Sequence, residues 1–450
     1  MPDHDLIVIG GGTAGLSAAR TARRRGASVV LITDGPPGGD CTFTGCVPSK
    51  TLLASTSMPF AAAMARVRDT VAAIAADEDE TVLTKEGIEV LRARAEVVDP
   101  QTVKADGRTL RSTRLVLATG SSPVVPAIPG LSEISYLTNE NVFELTTLPQ
   151  HLVVLGGGAI GCEMAFAFTR LGAKVTVLEG DSRVLGKEEP EASRVIHEAL
   201  TVAGADVRIS TTLSSVTRKG RTLTLQTTGG ELTCSHLLVA VGRKPLAGGT
   251  EALDLKRAKN GAIEVDLRMR TSIKGVYAAG DVTGRLPFTH AADEMGRVAV
   301  GNALGKVPMT FKEAFVPWVT FTDPEVARVG LSEAQAAEQH RGARVVELPL
   351  AEVDRARTSA RTDGFVKIVV GRRKVLGNLA GGRVLGATIV AERAGEMIAE
   401  VALAMRTGMF TGRLGQTSHA YPTWSVAVQQ AVGQLFGVGE RTPREARSDK

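Results

Sequence analysis

One strand–turn–helix unit occurs twice in this chain, and that repeat constrains the fold more than any other feature. Near the N-terminus the apolar run Leu6-Ile7-Val8-Ile9 leads into Gly10-Gly11-Gly12-Thr13-Ala14-Gly15, then into a small-residue stretch that reads as helix to about Arg25. Ala27-Ser28-Val29-Val30-Leu31-Ile32 reads as the next strand. The plan returns as Leu152–Leu155, Gly156-Gly157-Gly158-Ala159-Ile160-Gly161, a helix through Arg170, and the strand Lys174–Leu178. Short, wholly apolar strands alternating with helices indicate a parallel sheet buried on both faces. In each turn, glycines at the first, third and sixth positions (Gly10, Gly12, Gly15; Gly156, Gly158, Gly161) let the backbone bend sharply and approach a pyrophosphate at the helix N-terminus. Two such units predict two dinucleotide sites. The partner of each ribose should be acidic and roughly 20 residues further on. Asp34 and Glu179 stand at that distance. A carboxylate at Glu179 accepts from a ribose 2′-hydroxyl and repels a 2′-phosphate, which favours NADH; Arg183 nearby leaves NADPH open.

A chain of 450 residues has room for two to four domains. The strand Leu115-Val116-Leu117 runs into Ala118-Thr119-Gly120-Ser121, and Leu237–Val241 runs into Gly242-Arg243; Val276–Ala279 ends in Gly280-Asp281. Pro123, Pro126 and Pro129 mark an exit from the first domain. From about Pro317 the pattern changes to alternating strands such as Phe365–Val370, followed by an amphipathic helix around Glu396–Met405, as in a separate α+β domain. The boundaries expected are 1–148, 149–270, 271–316 and 317–450. The final stretch, Arg441–Lys450, is polar and reads as frayed.

The formal net charge of +5 is spread without a basic block, so no nucleic-acid partner is expected. No apolar run reaches the length of a membrane span, and the N-terminus lacks the pattern of a signal peptide, so a cytoplasmic location is expected. Four cysteines do not make a disulfide scaffold, and the seven scattered histidines give no metal-ligand spacing; no metal site is expected.

Two of the cysteines carry chemistry. In Gly38-Gly39-Asp40-Cys41-Thr42-Phe43-Thr44-Gly45-Cys46-Val47-Pro48-Ser49-Lys50, Pro48 suits the first turn of a helix. Cys46 would then lie near a helix N-terminus, where the partial positive charge favours a thiolate, with Lys50 one turn on. Such a pair can take up electrons and pass them on by thiol–disulfide exchange. Cys162 and Cys234 sit among apolar neighbours and read as core.

The Gly-Gly-x-Cys-x-x-x-x-Cys-Val-Pro-Ser-Lys stretch after an N-terminal dinucleotide fingerprint resembles the flavoprotein disulfide reductase family, in its mercuric reductase and dihydrolipoamide dehydrogenase branch. Thr119-Gly120-Ser121, Val241-Gly242-Arg243, Gly280-Asp281 and Phe321-Thr322-Asp323-Pro324-Glu325 fall in family order, so the likeness spans nearly the whole chain. The resemblance implies an α/β fold with two Rossmann-like three-layer domains, for FAD and NAD(P), and a C-terminal α+β dimerisation domain. It implies FAD and NADH as cofactors, with NADPH as the alternative, and a homodimer whose active site is shared between subunits. Gly10, Gly12, Gly15, Asp34, Gly39, Thr119, Gly120, Ser121, Gly280 and Asp281 would hold FAD. Gly156, Gly158, Gly161, Glu179 and Gly242 would serve the nucleotides as well. Lys50 and Glu163 would pair near the reactive edge of the flavin, and the helix opening at Thr289-His290 would aim its N-terminus at the ring. Cys46 would face the flavin, and Cys41 would meet the acceptor.

The sequence departs from the family pattern at three places. The acid at the end of the second strand aligns with Thr33, one residue before Asp34. Ala159 stands where the family often has a flavin-shielding tyrosine. The C-terminal His-x-His-Pro-x-x-x-Glu reads His419-Ala420-Tyr421-Pro422-Thr423-Trp424-Ser425-Val426, so Tyr421 replaces the acid–base histidine and Val426 its glutamate. A phenol does not buffer protons at neutral pH as an imidazole does. No cysteine follows Cys234, so the metal-delivering C-terminal pair of mercuric reductases is missing. The expected activity is hydride transfer from nicotinamide through flavin to Cys41–Cys46 and on to a small-molecule acceptor, whether a small disulfide, a metal ion or a quinone. The alternatives are a dihydrolipoamide dehydrogenase, an NADH:acceptor or transhydrogenase activity at the flavin alone, and a non-enzymatic redox sensor.

Overall fold

The computed structural model describes residues 2–373, 375–439 and 441–448. The chain divides into two compact units, one of residues 1–127, 135–148 and 238–312, the other of residues 128–134, 149–237 and 313–450.

The first unit is built on a five-stranded parallel sheet in the order Val276–Ala278, Leu115–Leu117, Leu6–Ile9, Val29–Thr33, Glu89–Arg92. The three central strands consist of buried side chains throughout, as their apolar sequences require. The helix Thr13–Arg24 turns Ala14, Ala18, Ala19 and Ala22 inward. Small residues on this helix also let the helix Thr289–Leu304 come close: a Cβ added at Gly296 would stand 2.4 Å from the Ala14 carbonyl oxygen. That contact fixes where Thr289 lies.

In the second unit, His151–Leu155, Lys174–Leu178 and Asp206–Arg208 pair in parallel beside the helix Ala159–Arg170. A second sheet of six strands runs in the order Pro317–Thr320, Glu325–Gly330, Arg383–Ala391, Phe365–Gly371, Arg344–Pro349, Arg444–Glu445, all antiparallel. Its face packs on the helix Ala394–Arg406 through Met397, Ile398 and Val401.

The C-terminal stretch corrects one expectation. Residues 444–445 are not frayed but pair with Arg344–Pro349 as the sixth strand. Arg444 also reaches the Glu333 carboxylate, and Arg441 bonds Glu352. Two arginines of this segment are thus held in ion pairs; Asp449 and Lys450 lie outside the described residues.

Candidate active site

The two Gly-rich turns have nearly the same backbone. Gly10 and Gly156 sit at φ 110° and 107°, where only glycine is comfortable. A Cβ at Gly15 would stand 1.8 Å from the Gly10 oxygen, and one at Gly161 1.9 Å from the Gly156 oxygen, so each helix starts against its own turn. Gly12 and Gly158 are the N-cap residues; neither helix has a side-chain cap or an acidic residue in its first turn. The first-turn N–H groups are therefore left to an anion. A Cβ at Gly158 would meet nothing within 4 Å, and one at Gly12 only the Gly39 Cα at 4.0 Å. Open space over uncapped helix ends suits a dinucleotide pyrophosphate at both places.

Glu179 closes the second turn: its carboxylate accepts from Gly157 N–H at 2.6 Å and from Asp181 N–H at 2.8 Å. In the first turn the equivalent place belongs to Thr33. A Cβ on Gly11 would meet its Oγ1 at 2.5 Å, as one on Gly157 would meet Glu179 Oε2 at 3.0 Å. Thr33 is buried and donates to the Gly35 carbonyl, whereas Asp34 is exposed one residue beyond.

The cysteine loop sits directly on the first turn. Gly38 N–H donates to the Gly11 carbonyl at 2.9 Å, and a Cβ on Gly39 would come within 2.7 Å of Gly12 Cα. Cys41 lies in the short helix Gly39–Phe43, and Cys46 opens the helix Cys46–Leu53, which also carries Lys50. Both sulfurs share one hydroxyl: Thr289 Oγ1 donates to Cys41 Sγ at 3.2 Å and lies 3.3 Å from Cys46 Sγ. The Cys41 thiol is pushed well above its ordinary range. The Cys46 sulfur that accepts its proton is the main cause; burial and negative charge on Cys46 add to it, and Thr289 opposes it. Cys162 and Cys234 are buried; burial pushes the Cys162 thiol up and takes Cys234 to about 12. Neither is set up to react.

Around the pair, in the same unit, Ser121 Oγ donates to Asp281 Oδ2 at 2.6 Å, and burial holds the Asp281 carboxyl above the usual range. Thr119 Oγ1 bonds the Leu246 carbonyl. Gly120, Gly242 and Gly280 all take positive φ, which lets these turns present backbone rather than side chains. His290 stacks on Phe288 with ring centroids 5.8 Å apart. The fold thus gathers Gly10, Gly12, Gly15, Gly39, Cys41, Cys46, Lys50, Thr119, Gly120, Ser121, Gly242, Gly280, Asp281, Thr289 and His290 in the first unit. Gly156, Gly158, Gly161, Glu163, Glu179, His419 and Tyr421 belong to the second.

In that second unit Glu163 is buried in the helix Ala159–Arg170 and accepts from Phe321 N–H at 2.9 Å. The C-terminal pair has partners that the local sequence did not reveal. His419 Nε2 lies 2.9 Å from Glu400 Oε2, and its Nδ1 lies 2.9 Å from the Thr417 carbonyl. The second Glu400 oxygen is buried with no hydrogen-bond partner. Tyr421 is 71% exposed and donates to Asp354 Oδ2 at 2.9 Å, a bond that holds its phenol protonated beyond the ordinary range. Val426 opens the helix Val426–Gly433 as a buried core residue. A carboxylate therefore still orients a histidine here, but it is Glu400, from a helix earlier in the chain.

The sequence model described as "Pyridine nucleotide-disulphide oxidoreductase" matches residues 4–296, and that of its dimerisation domain matches residues 316–432. The mercuric reductase of Staphylococcus aureus is 34% identical over 96% of this chain and 82% of its own. The dihydrolipoyl dehydrogenase of Chlamydia muridarum is 31% identical over 95% of this chain and 97% of its own. Among solved structures, the Cu(II) complex of the HOCl-induced flavoprotein disulfide reductase RclA from Escherichia coli superposes with a TM-score of 0.88 at 28% identity, covering 97% of this chain and all of that one. Among the described residues no helix is long and apolar enough to cross a membrane.

Proposed function

Because this chain belongs to the pyridine nucleotide-disulphide oxidoreductase family, we propose that it carries electrons from NAD(P)H to Cys41–Cys46 and from that pair to a thiophilic metal ion. The enzyme is an NAD(P)H-dependent flavoprotein oxidoreductase with a dimerisation domain. One observation supports the sulfur pair as the outgoing carrier: both sulfurs lie within 3.3 Å of one hydroxyl, at the start of a helix, on the loop that covers the first Gly-rich turn.

Bound FAD supplies the two-electron relay between nicotinamide and sulfur. The residues around it divide the remaining work. The first-turn N–H groups after Gly12 hold pyrophosphate, Ser121 orients Asp281 toward the flavin site, and Glu179 selects the nicotinamide cofactor by its ribose. Cys46, at its helix start, is the sulfur kept close to the flavin. Cys41 holds its proton, so it needs a base before it can attack an acceptor. Both ring nitrogens of His419 are engaged, with Glu400 and the Thr417 carbonyl, so His419 serves to brace this segment and that base comes from elsewhere. Tyr421, bonded to Asp354, stays protonated and serves as a donor.

A metal ion is favoured as acceptor because relatives named mercuric reductase match nearly the whole of this chain and a Cu(II) complex of a flavoprotein disulfide reductase shares its fold. Closing the dithiol to the disulfide releases two electrons and two protons. One Hg(II) takes both electrons to become Hg(0), or two Cu(II) take one each to become Cu(I). The test is single turnover: NADH-reduced enzyme is mixed without oxygen with Hg(II), Cu(II), lipoamide, glutathione disulfide or menadione. Fast reoxidation by a metal ion that Cys41→Ser abolishes is the expected result. Fast reoxidation by lipoamide alone would make the enzyme a dihydrolipoamide dehydrogenase. Reoxidation untouched by Cys41→Ser would place the chemistry at the flavin.

A further inference from the structure

We propose that Arg243 is a positioning residue for the redox pair, a single guanidinium from which both ends of the loop between Cys41 and Cys46 are hung. The inference rests on the reading of that pair as a dithiol–disulfide couple.

Arg243 opens the short strand Arg243–Pro245, which pairs with Ser121–Pro123; it is far from the cysteines in sequence, yet its side chain is only 17% exposed. Its Nε donates to Ser121 Oγ at 2.8 Å, and its Nη2 to the Ser121 carbonyl at 2.8 Å and to Asp40 Oδ2. Its Nη1 donates to Asn139 Oδ1 at 3.1 Å. Asn139, itself buried, passes the contact on: its Nδ2 donates to the Thr44 carbonyl at 3.3 Å. Asp40 immediately precedes Cys41, and Thr44 stands two residues before Cys46. The loop is closed on itself as well, by Thr44 N–H on the Asp40 carbonyl at 2.9 Å.

A guanidinium suits this task because its planar fork presents several donors in fixed directions, and it is already braced here on two atoms of Ser121. An ammonium in its place offers its donors from a single point and cannot span all of these acceptors. The geometry therefore sets how near the two sulfurs are held. That separation acts on the couple directly. Reduction breaks the Sγ–Sγ bond and adds two electrons and two protons to give two thiols; oxidation reverses this and needs the sulfurs to meet. Loosening the loop lowers the effective concentration of one sulfur at the other, makes the disulfide harder to close and renders the couple more oxidising. A tenfold loss in the closure equilibrium corresponds to a rise of about 30 mV for a two-electron couple.

The experiment equilibrates the FAD-loaded enzyme in graded dithiothreitol mixtures, traps thiols with an alkylating reagent and measures the Cys41–Cys46 pair by peptide mass. Arg243→Ala and Arg243→Lys should both shift the closure equilibrium about tenfold toward the dithiol. Asn139→Ala, which removes no charge, should move it in the same direction by a smaller factor. Should Arg243→Ala fail to fold, Asn139→Ala and Asp40→Asn decide the matter. An unchanged equilibrium in the folded variants, whatever their melting temperatures, overturns the positioning role. A wild-type enzyme that forms no Cys41–Cys46 disulfide at any poise would instead overturn the reading beneath it.

Discussion

The Thr289 hydroxyl donates to Cys41 Sγ at 3.2 Å across 248 residues of sequence. It is the contact that opposes the rise of the Cys41 thiol caused by Cys46 and by burial. Removing it while keeping the shape, in Thr289→Val, leaves the thiol harder to ionise. A hydrogen bond to a charged sulfur is worth about 1.5–3 kcal/mol, so Cys41 of the reduced enzyme should be alkylated roughly tenfold more slowly at pH 8. Thr289→Ser should restore the rate. In the wild type the same alkylation should be slow at pH 7 and should keep rising with pH, since a raised thiol holds its proton through neutrality. Mass analysis of the labelled peptide over a pH series reads both effects.

Lys367 gives a prediction about stability. Its side chain is 1% exposed, inside the strand Phe365–Gly371, with carboxylate oxygens of Glu191 at 2.8 Å, Glu333 at 3.1 Å, and Glu189 and Glu347 at 3.6 Å. Burial alone would depress the ammonium, but these carboxylates hold it above the usual lysine range. Lys367→Met should cost about 3–5 kcal/mol, because it leaves buried Glu189 without a counter-charge, whereas Glu333 keeps Arg444. Denaturant unfolding at pH 7 measures it. Glu333 is held below the usual carboxylate range, against its burial, by Arg444 and Lys367. Its contribution is therefore present above the pH where a free glutamate ionises and is lost as pH falls below that, so stability should drop between about pH 5 and pH 3 and less so in Glu333→Gln.

Glu179 bears on cofactor choice. It accepts two backbone N–H groups at the second Gly-rich turn, and Gln in its place can keep an acceptor there while losing the charge. Glu179→Gln should therefore leave the fold intact and shift binding toward NADPH relative to NADH. Removing one unit of repulsion at a half-exposed site is worth about 1 kcal/mol, a change of roughly fivefold in the ratio of dissociation constants. Titration of the two reduced nucleotides against wild type and variant supplies that ratio.

What could be read from the sequence was what depends on short stretches of it. The strands Leu6–Ile9 and Lys174–Leu178 fall where their apolar runs place them, because a four- or five-residue buried strand needs nothing beyond its own side chains to be recognised. Both Gly-rich turns were legible for the same reason, as was Cys46 at the start of its helix. Contacts made only by the tertiary fold were not legible. Nothing near Cys41 announces Thr289 or Arg243, and nothing near His419 announces Glu400, two helices earlier. The polar run around Arg444 looked solvated because its partner Glu333 comes from a distant part of the chain. Thr33 could be placed by alignment with the family pattern, but its seat beside Gly11 is visible only in the fold.

The central claim is that electrons pass through Cys41–Cys46, and anaerobic titration of the FAD-loaded enzyme with NADH, followed by visible absorption, tests it most directly. A long-wavelength band that grows to one equivalent of NADH, vanishes in Cys46→Ser and precedes loss of the main flavin absorption is the result expected of a sulfur beside the ring. Direct bleaching of the flavin by the first equivalent, with no such band and no change in the Cys46→Ser enzyme, would contradict it.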